Sequence, residues 1–101
     1  MQLTNEFEPI RDWAKERGIY EKGNIDTQFK KLLEEVDELK KAIEEEDIDD
    51  FADAIGDCVV VLTNLSYLGD FDIETCINSA YEEIKNRKGV MKNGFFEKDA
   101  K

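Results

Sequence analysis

DDFADAIGDCVVVLTNLSYL, residues Asp49–Leu68, is the stretch on which the fold turns. Phe51, Ile55, Val59 and Leu62 recur at helical spacing and no proline interrupts them. The β-branched run Val59–Val61 also suits a strand, but the spacing over twenty residues favours a helix. From Cys58 onward that helix is apolar almost all round, as expected of a central helix. Yet Asp50, Asp53, Asp57 and Asn64 fall within an arc of roughly 60° at 100° per residue. A polar stripe on a buried helix is costly unless something positive meets it.

The partner stripe lies one helix upstream. Phe29, Leu32, Leu33, Val36, Leu39 and Ile43 make an apolar arc of roughly 120° on a helix from Asn24 or Asp26 to about Glu45. Glu34, Glu35 and Glu38 flank the arc, with Lys31 among them, while Asp37 points elsewhere. Glu35 and Glu38, at i and i+3, can share a cation. A Glu-rich helix face is ordinarily just solvated. Two acidic faces on adjacent helices repel unless a cation joins them. Hard oxygen ligands suit Mg²⁺ or Mn²⁺, and carboxylate-held Mg²⁺ most often serves a phosphate substrate. The first expectation is a metal-dependent enzyme acting on a phosphoanhydride.

Elsewhere, Phe7, Ile10, Trp13 and Ala14 mark a first helix ended by Gly18, followed by a loop over Ile19 to Ile25. Glu44 to Asp49 is a short connection. After the turn Gly69–Asp72, a last helix carries Ile73, Cys76, Ile77, Ala80, Tyr81 and Ile84 on one face. The tail from Val90 to Phe96 has a Lys-Asn-Gly turn between apolar pairs and reads as an arm or small hairpin. Lys85, Asn86, Arg87 and Lys88 form the dense basic patch. They complement a helix C-terminus, or hold phosphate oxygens left uncovered by metal. Lys31 is a second phosphate candidate. Trp13 is a core residue or a platform for a base. Tyr20, Tyr67 and Tyr81 have no distinguishing context.

Composition narrows the field. One domain, residues 1–101, is expected from 101 residues, 41% hydrophobic and 39% charged. A net charge of −11 argues against nucleic-acid binding. With no histidine, imidazole catalysis and His-ligated zinc are excluded. Cys58 and Cys76 read as buried free thiols in a reducing cytoplasm. The opening Met1–Glu6 lacks the apolar core of a signal peptide, and the longest apolar run is too short to span a membrane.

The arrangement Glu34-Glu35-x-x-Glu38, a spacer, then Ile55-Gly56-Asp57 and an apolar run resembles the MazG-like all-α nucleoside triphosphate pyrophosphohydrolases, marked by EExxE followed by ExxD. The likeness covers nearly the whole chain and is nearest to short, phage-type members. These share Arg-Asp-Trp-Ala and Asp-Ala-Ile-Gly-Asp segments and close with Glu-Ile-Lys-x-Arg-Lys-Gly and Asn-Gly-x-Phe. The resemblance implies a four-helix bundle assembled as homodimers or homotetramers. It also implies Mg²⁺-dependent hydrolysis of a nucleoside triphosphate, a deoxynucleotide by expectation, to monophosphate and pyrophosphate. By position Glu35, Glu38 and Asp57 match metal ligands, and Glu34 the leading acid. Glu34 or Glu38 is the candidate proton acceptor. The family's acid three before Asp57 is Ala54 here. Asp53 can substitute for it, or Asp50-x-x-Asp53 forms the second motif. Rival readings for so acidic a chain are a DNA mimic or a structural helical oligomer. The discriminator is whether the acids converge in one cleft.

Overall fold

A computed structural model describes residues 5–99; the opening stretch Met1–Thr4, within the segment read above as no leader, lies outside them. The order is α1 (Phe7–Glu16), α2 (Ile19–Lys22), α3 (Ile25–Glu44), α4 (Ile48–Leu68), α5 (Ile73–Ile84), β1 (Gly89–Lys92) and β2 (Phe95–Lys98). The fold is all-α with a C-terminal hairpin. The loop expected after Gly18 contains the single-turn helix α2. Gly18 at φ +77° ends α1, in the left-handed region that glycine enters without strain. The chain then turns helical again at once.

The caps explain the boundaries of the two long helices. Asn24, not Asp26, caps α3: its side chain accepts from the Thr27 amide while the Thr27 hydroxyl accepts from the Asn24 amide. Asp47 caps α4 by accepting from the Asp50 amide. The link between them, Glu45–Asp47, is held tight by Glu46 at φ 55°.

Helix α4 packs against every other helix, as its apolar girth requires. It is also long and apolar enough to cross a membrane by length and composition, contrary to the reading above. It also carries four aspartates, packs against the other helices and buries 22% of that apolar window. Thr63, fully buried, returns its hydroxyl to the Val59 carbonyl at 2.8 Å and so adds no unsatisfied polar group.

The apolar arc of α3 is not the core it was expected to be. Phe29, Leu33, Val36 and Ile43 are each about half exposed, and the buried apolar residues are Ala14, Ala42, Ala54 and Val61. Helix α3 meets α4 with the flank carrying Leu32, Glu35, Leu39 and Ala42, so the rest of its apolar arc turns outward. Phe51, Ile55 and Leu62 of α4 are likewise half exposed. By helical periodicity they share the side of the α3–α4 pair opposite the acids. Ile77, Tyr81 and Ile84 leave the face of α5 open too. Both thiols are free; Cys58 is half-buried and Cys76 exposed, so neither is the buried thiol expected.

Helix α5 is fastened by Arg11 of α1, which lies buried and grips both oxygens of Glu74 at 2.8 Å. The hairpin pairs Val90 with Glu97 and Met91 with Phe96 in antiparallel register. Asn93 and Gly94, at φ 54° and 85°, form its turn.

The Arg11 fork holds the Glu74 carboxyl down at about 2. Its contribution is therefore full above the ordinary carboxylate range and is lost as pH falls through that range towards 2. Glu74→Gln is expected to cost about 1–2 kcal/mol at pH 7, given the partial exposure of the pair. Denaturant titrations of wild type and variant at pH 7 and pH 3 check this: the difference should shrink at pH 3.

Candidate active site: a carboxylate cleft between two helices

The antiparallel pairing of α3 and α4 brings the two acidic flanks to one side. Two adjoining depressions run along it. The first, about 440 Å³, is lined by Trp13, Ile19, Thr27, Gln28, Lys31, Glu34, Glu35, Asp57, Val60, Val61 and Asn64. The second, about 340 Å³, is lined by Glu38, Lys41, Ala42, Glu45, Asp50, Asp53, Ala54 and Asp57. Asp57 belongs to both. The first depression thus sets Trp13, Ile19, Val60 and Val61 beside Lys31, Glu34 and Glu35, and the second is almost wholly charged.

The electrostatics are those of crowded like charges. Asp57 is pushed above the usual carboxylate range, first by desolvation, then by the charges of Glu35 and Asp53, with Lys31 opposing. Lys31 lies 3.3 Å from Glu35 and 3.6 Å from Glu34, and Glu35 first among these raises the lysine. Lys41 lies 3.4 Å from Asp37 and 3.9 Å from Glu38. Asp50 is raised by Asp47 before any other neighbour. The Cys58 thiol is pushed up by burial and then by Glu35 and Asp57.

Among the described residues no three acidic side chains converge into a preformed metal cage. The donors nonetheless fit a hard divalent cation. They are all carboxylate oxygens, and Glu35 and Asp57 face each other as like charges. Mg²⁺ typically takes one or two carboxylates and completes its shell with water and phosphate oxygens. Asp50 and Asp53 both line the charged end, so either can complete the second motif.

Of the other residues singled out in the sequence, Trp13 lines the cleft and is 44% exposed, not core. Arg17 lies over its ring, 5.5 Å from the centroid. Lys85, Arg87 and Lys88 are not brought to the acids. Lys85 pairs with Glu82, and Arg87 with Glu83 at 3.3 Å. With Lys88, Arg87 lines a separate depression at the base of the hairpin, beside Asn86, Lys98 and Asp99. Lys85 and Arg87 are thus engaged by glutamates of their own helix.

Three lining residues escaped the sequence reading. Thr27 and Gln28 sit at the start of α3, where the capping box accounts for Thr27. Lys41 lies one turn beyond Glu38, among so many charges that nothing distinguishes it. Tyr20 donates its hydroxyl to Oδ1 of Asn64 at 2.8 Å and stacks on Tyr67 at 4.0 Å between centroids. The signal available for that pair was an asparagine inside an apolar helix.

Comparison with known families agrees with this geometry. The model of the MazG nucleotide pyrophosphohydrolase domain matches residues 24–91. The chain belongs to the MazG family. The matched segment spans α3, α4, α5 and most of the first strand of the hairpin, so it contains both acidic flanks. Another relative is named "Uncharacterized 18.2 kDa protein in rep-hol intergenic region", from Haemophilus phage HP1 (strain HP1c1). It is 36% identical over 63 residues, 62% of this chain, and the match spans only 39% of that relative's length. No solved structure matches the chain.

The crowding has a testable sign. A carboxyl whose folded pKa is raised favours folding while protonated. That contribution is lost as pH rises through the raised value. In EDTA at neutral pH, Glu35→Gln is expected to raise the melting temperature. Mg²⁺ should stabilise the wild type more than NaCl of matched ionic strength, and should lose that advantage in the variant.

Proposed function

We propose that this MazG-family protein hydrolyses a nucleoside triphosphate, a deoxynucleotide by preference, between the α and β phosphates. The observation that carries the proposal is the lining of the groove: Trp13 shares one depression with Lys31, Glu34 and Glu35, and that depression meets a second, mostly charged one at Asp57. The nucleoside lies towards Trp13, which stacks on the base. The phosphates run past Asp57 towards Glu38, Asp53 and Lys41.

Glu35, Glu38, Asp53 and Asp57 would hold Mg²⁺ or Mn²⁺, which supplies charge neutralisation for phosphate oxygens and lowers the pKa of bound water. Glu34 or Glu38 accepts the proton of the attacking water. Lys31 keeps Glu34 and Glu35 in place and offsets charge on the phosphate nearest them. The bond between the α and β phosphates breaks, and pyrophosphate leaves with the electron pair, stabilised by cationic side chains.

Two features support an assembly. The half-exposed stripes on α3, α4 and α5 make a larger open apolar surface than monomers ordinarily carry. The basic patch Lys85, Arg87 and Lys88 is away from its own cleft and reaches phosphates only from a second copy. A homodimer or homotetramer, acting in the cytoplasm without nucleic acid or membrane, fits both. A DNA mimic or a structural oligomer has no use for carboxylates gathered in one cleft.

The deciding experiment is a panel of nucleoside triphosphates with Mg²⁺, scored for pyrophosphate. Glu38→Gln is expected to reduce kcat at least about a hundredfold, in the range of a lost general base, without lowering the melting temperature in EDTA. Arg87→Ala should also be impaired, and mixing it with Glu38→Gln after dissociation and reassembly should restore part of the activity. No pyrophosphate from any nucleotide would refute the proposal. Monomers in sedimentation at micromolar concentration would refute the shared site.

A further inference from the structure

Two of the ion pairs in this fold are built differently. Arg11 holds Glu74 with two hydrogen bonds, both 2.8 Å, from a buried guanidinium. Lys31 lies 3.3 Å from Glu35 and 3.6 Å from Glu34. Both distances exceed the ~2.7–2.9 Å of a charge-assisted hydrogen bond. The ammonium thus sits in the field of two carboxylates without being fixed to either. Half of its side chain is exposed, while that of Glu35 is 14% exposed. An enclosed acid is paired with a cation on a free, flexible stem.

The charge balance says what that cation does. Glu34, Glu35 and Asp57 line the first depression, and Lys31 is the one cation among its described lining residues. Asp57 feels it as well: Lys31 opposes the crowding from Glu35 and Asp53 there. Lys41, in the second depression, lies closer to Asp37, outside the lining, than to Glu38. It leaves the cleft acids largely uncompensated. Lys31 therefore does alone, with one charge, what a divalent cation does with two.

Lys31 and such a cation compete, because both use Glu35. Two cations close to one carboxylate repel each other. With a divalent ion on Glu35, the ammonium swings away on its stem. The negative charge that accompanies a metal into this cleft is the phosphate chain of the nucleotide, and an ammonium binds phosphate as a point charge.

We propose that Lys31 is the resident counter-ion of the metal-free cleft, that it gives up Glu35 when a divalent cation binds, and that it then holds a phosphate of the nucleotide. This rests on the metal-dependent nucleotide reading above and deepens it. Metal entry and phosphate binding are coupled through one side chain. Lys31 stabilises the metal-free fold, weakens metal binding and strengthens nucleotide binding.

The test titrates Mn²⁺ alone, read by electron paramagnetic resonance, into wild type, Lys31→Met, Lys31→Arg and a control, Lys30→Met. The control removes the same charge from an exposed neighbouring site on α3. Lys31→Met is expected to bind Mn²⁺ at least about fivefold more tightly than wild type, and to melt lower in EDTA. Lys30→Met acts through screened charge only and should change the affinity by less than about twofold. Lys31→Arg keeps the charge but grips Glu35 with a planar fork. It should bind Mn²⁺ more weakly than wild type while melting no lower in EDTA. With Mg²⁺ and a nucleoside triphosphate that the wild type hydrolyses, Lys31→Met should raise KM at least about tenfold, as for a lost hydrogen bond to a charged group. Metal affinity and KM then move in opposite senses. Equal Mn²⁺ affinity in Lys31→Met and Lys30→Met overturns the inference, because Lys31 is then an ordinary surface pair. Equal affinity in Lys31→Arg and wild type overturns it too, because charge and not displacement is then at work. An unchanged KM in Lys31→Met refutes the transfer to phosphate. No Mn²⁺ binding by any of the four proteins refutes the metal reading itself, and this inference with it.

Discussion

Everything in this molecule depends on which flank of α3 meets α4. Ala42 and Ala54 are buried at the contact, and small residues let two helix backbones come close. That contact places Glu35 beside Asp57 and turns Phe29, Leu33, Val36 and Ile43 of α3 outward, leaving Leu32 and Leu39 partly covered. Like charges are thus packed together where a greasy interface was available. The arrangement is unfavourable for the isolated chain, as the raised Asp57 carboxyl shows. Such a cost is retained where the crowded charges have work to do.

The outward turn has the opposite consequence on the other side. Apolar stripes from α3 and α4 lie together there, half exposed, with a small aggregate of alanines and Val61 as the buried core. A domain of about 100 residues has little apolar surface to spare. The same rotation that assembles the cleft therefore leaves much of the hydrophobic driving force unspent within one chain. The cleft and the open apolar face are two results of one helix–helix contact.

The groove also has a direction. Carboxylates line the groove along its length, and Trp13, Ile19, Val60 and Val61 join them only at the end where α1 and α2 cross α4. Directionality of this kind suits a ligand that is itself apolar at one end and polyanionic at the other. Asn64 lies at the Trp13 end because the polar stripe of α4 continues past Asp57 into the region covered by α2.

The sequence by itself determined the helices, because periodicity and caps are local: Gly18, Asn24, Asp47 and the Asn93-Gly94 turn act within a few residues. It determined the acids too, since Glu34, Glu35, Glu38, Asp53 and Asp57 stand out against apolar neighbours. Only tertiary structure decided which flank of α3 faces in, because an arc of 120° and the acids beside it are equally available to a partner helix. It alone decided that Trp13 lines a cleft, that Lys41 joins the acids and that Lys85, Arg87 and Lys88 do not. Tyr20 and Asn64 are 44 residues apart. Their bond was invisible in the sequence because it depends on how α2 folds back over α4, and no local pattern encodes that crossing.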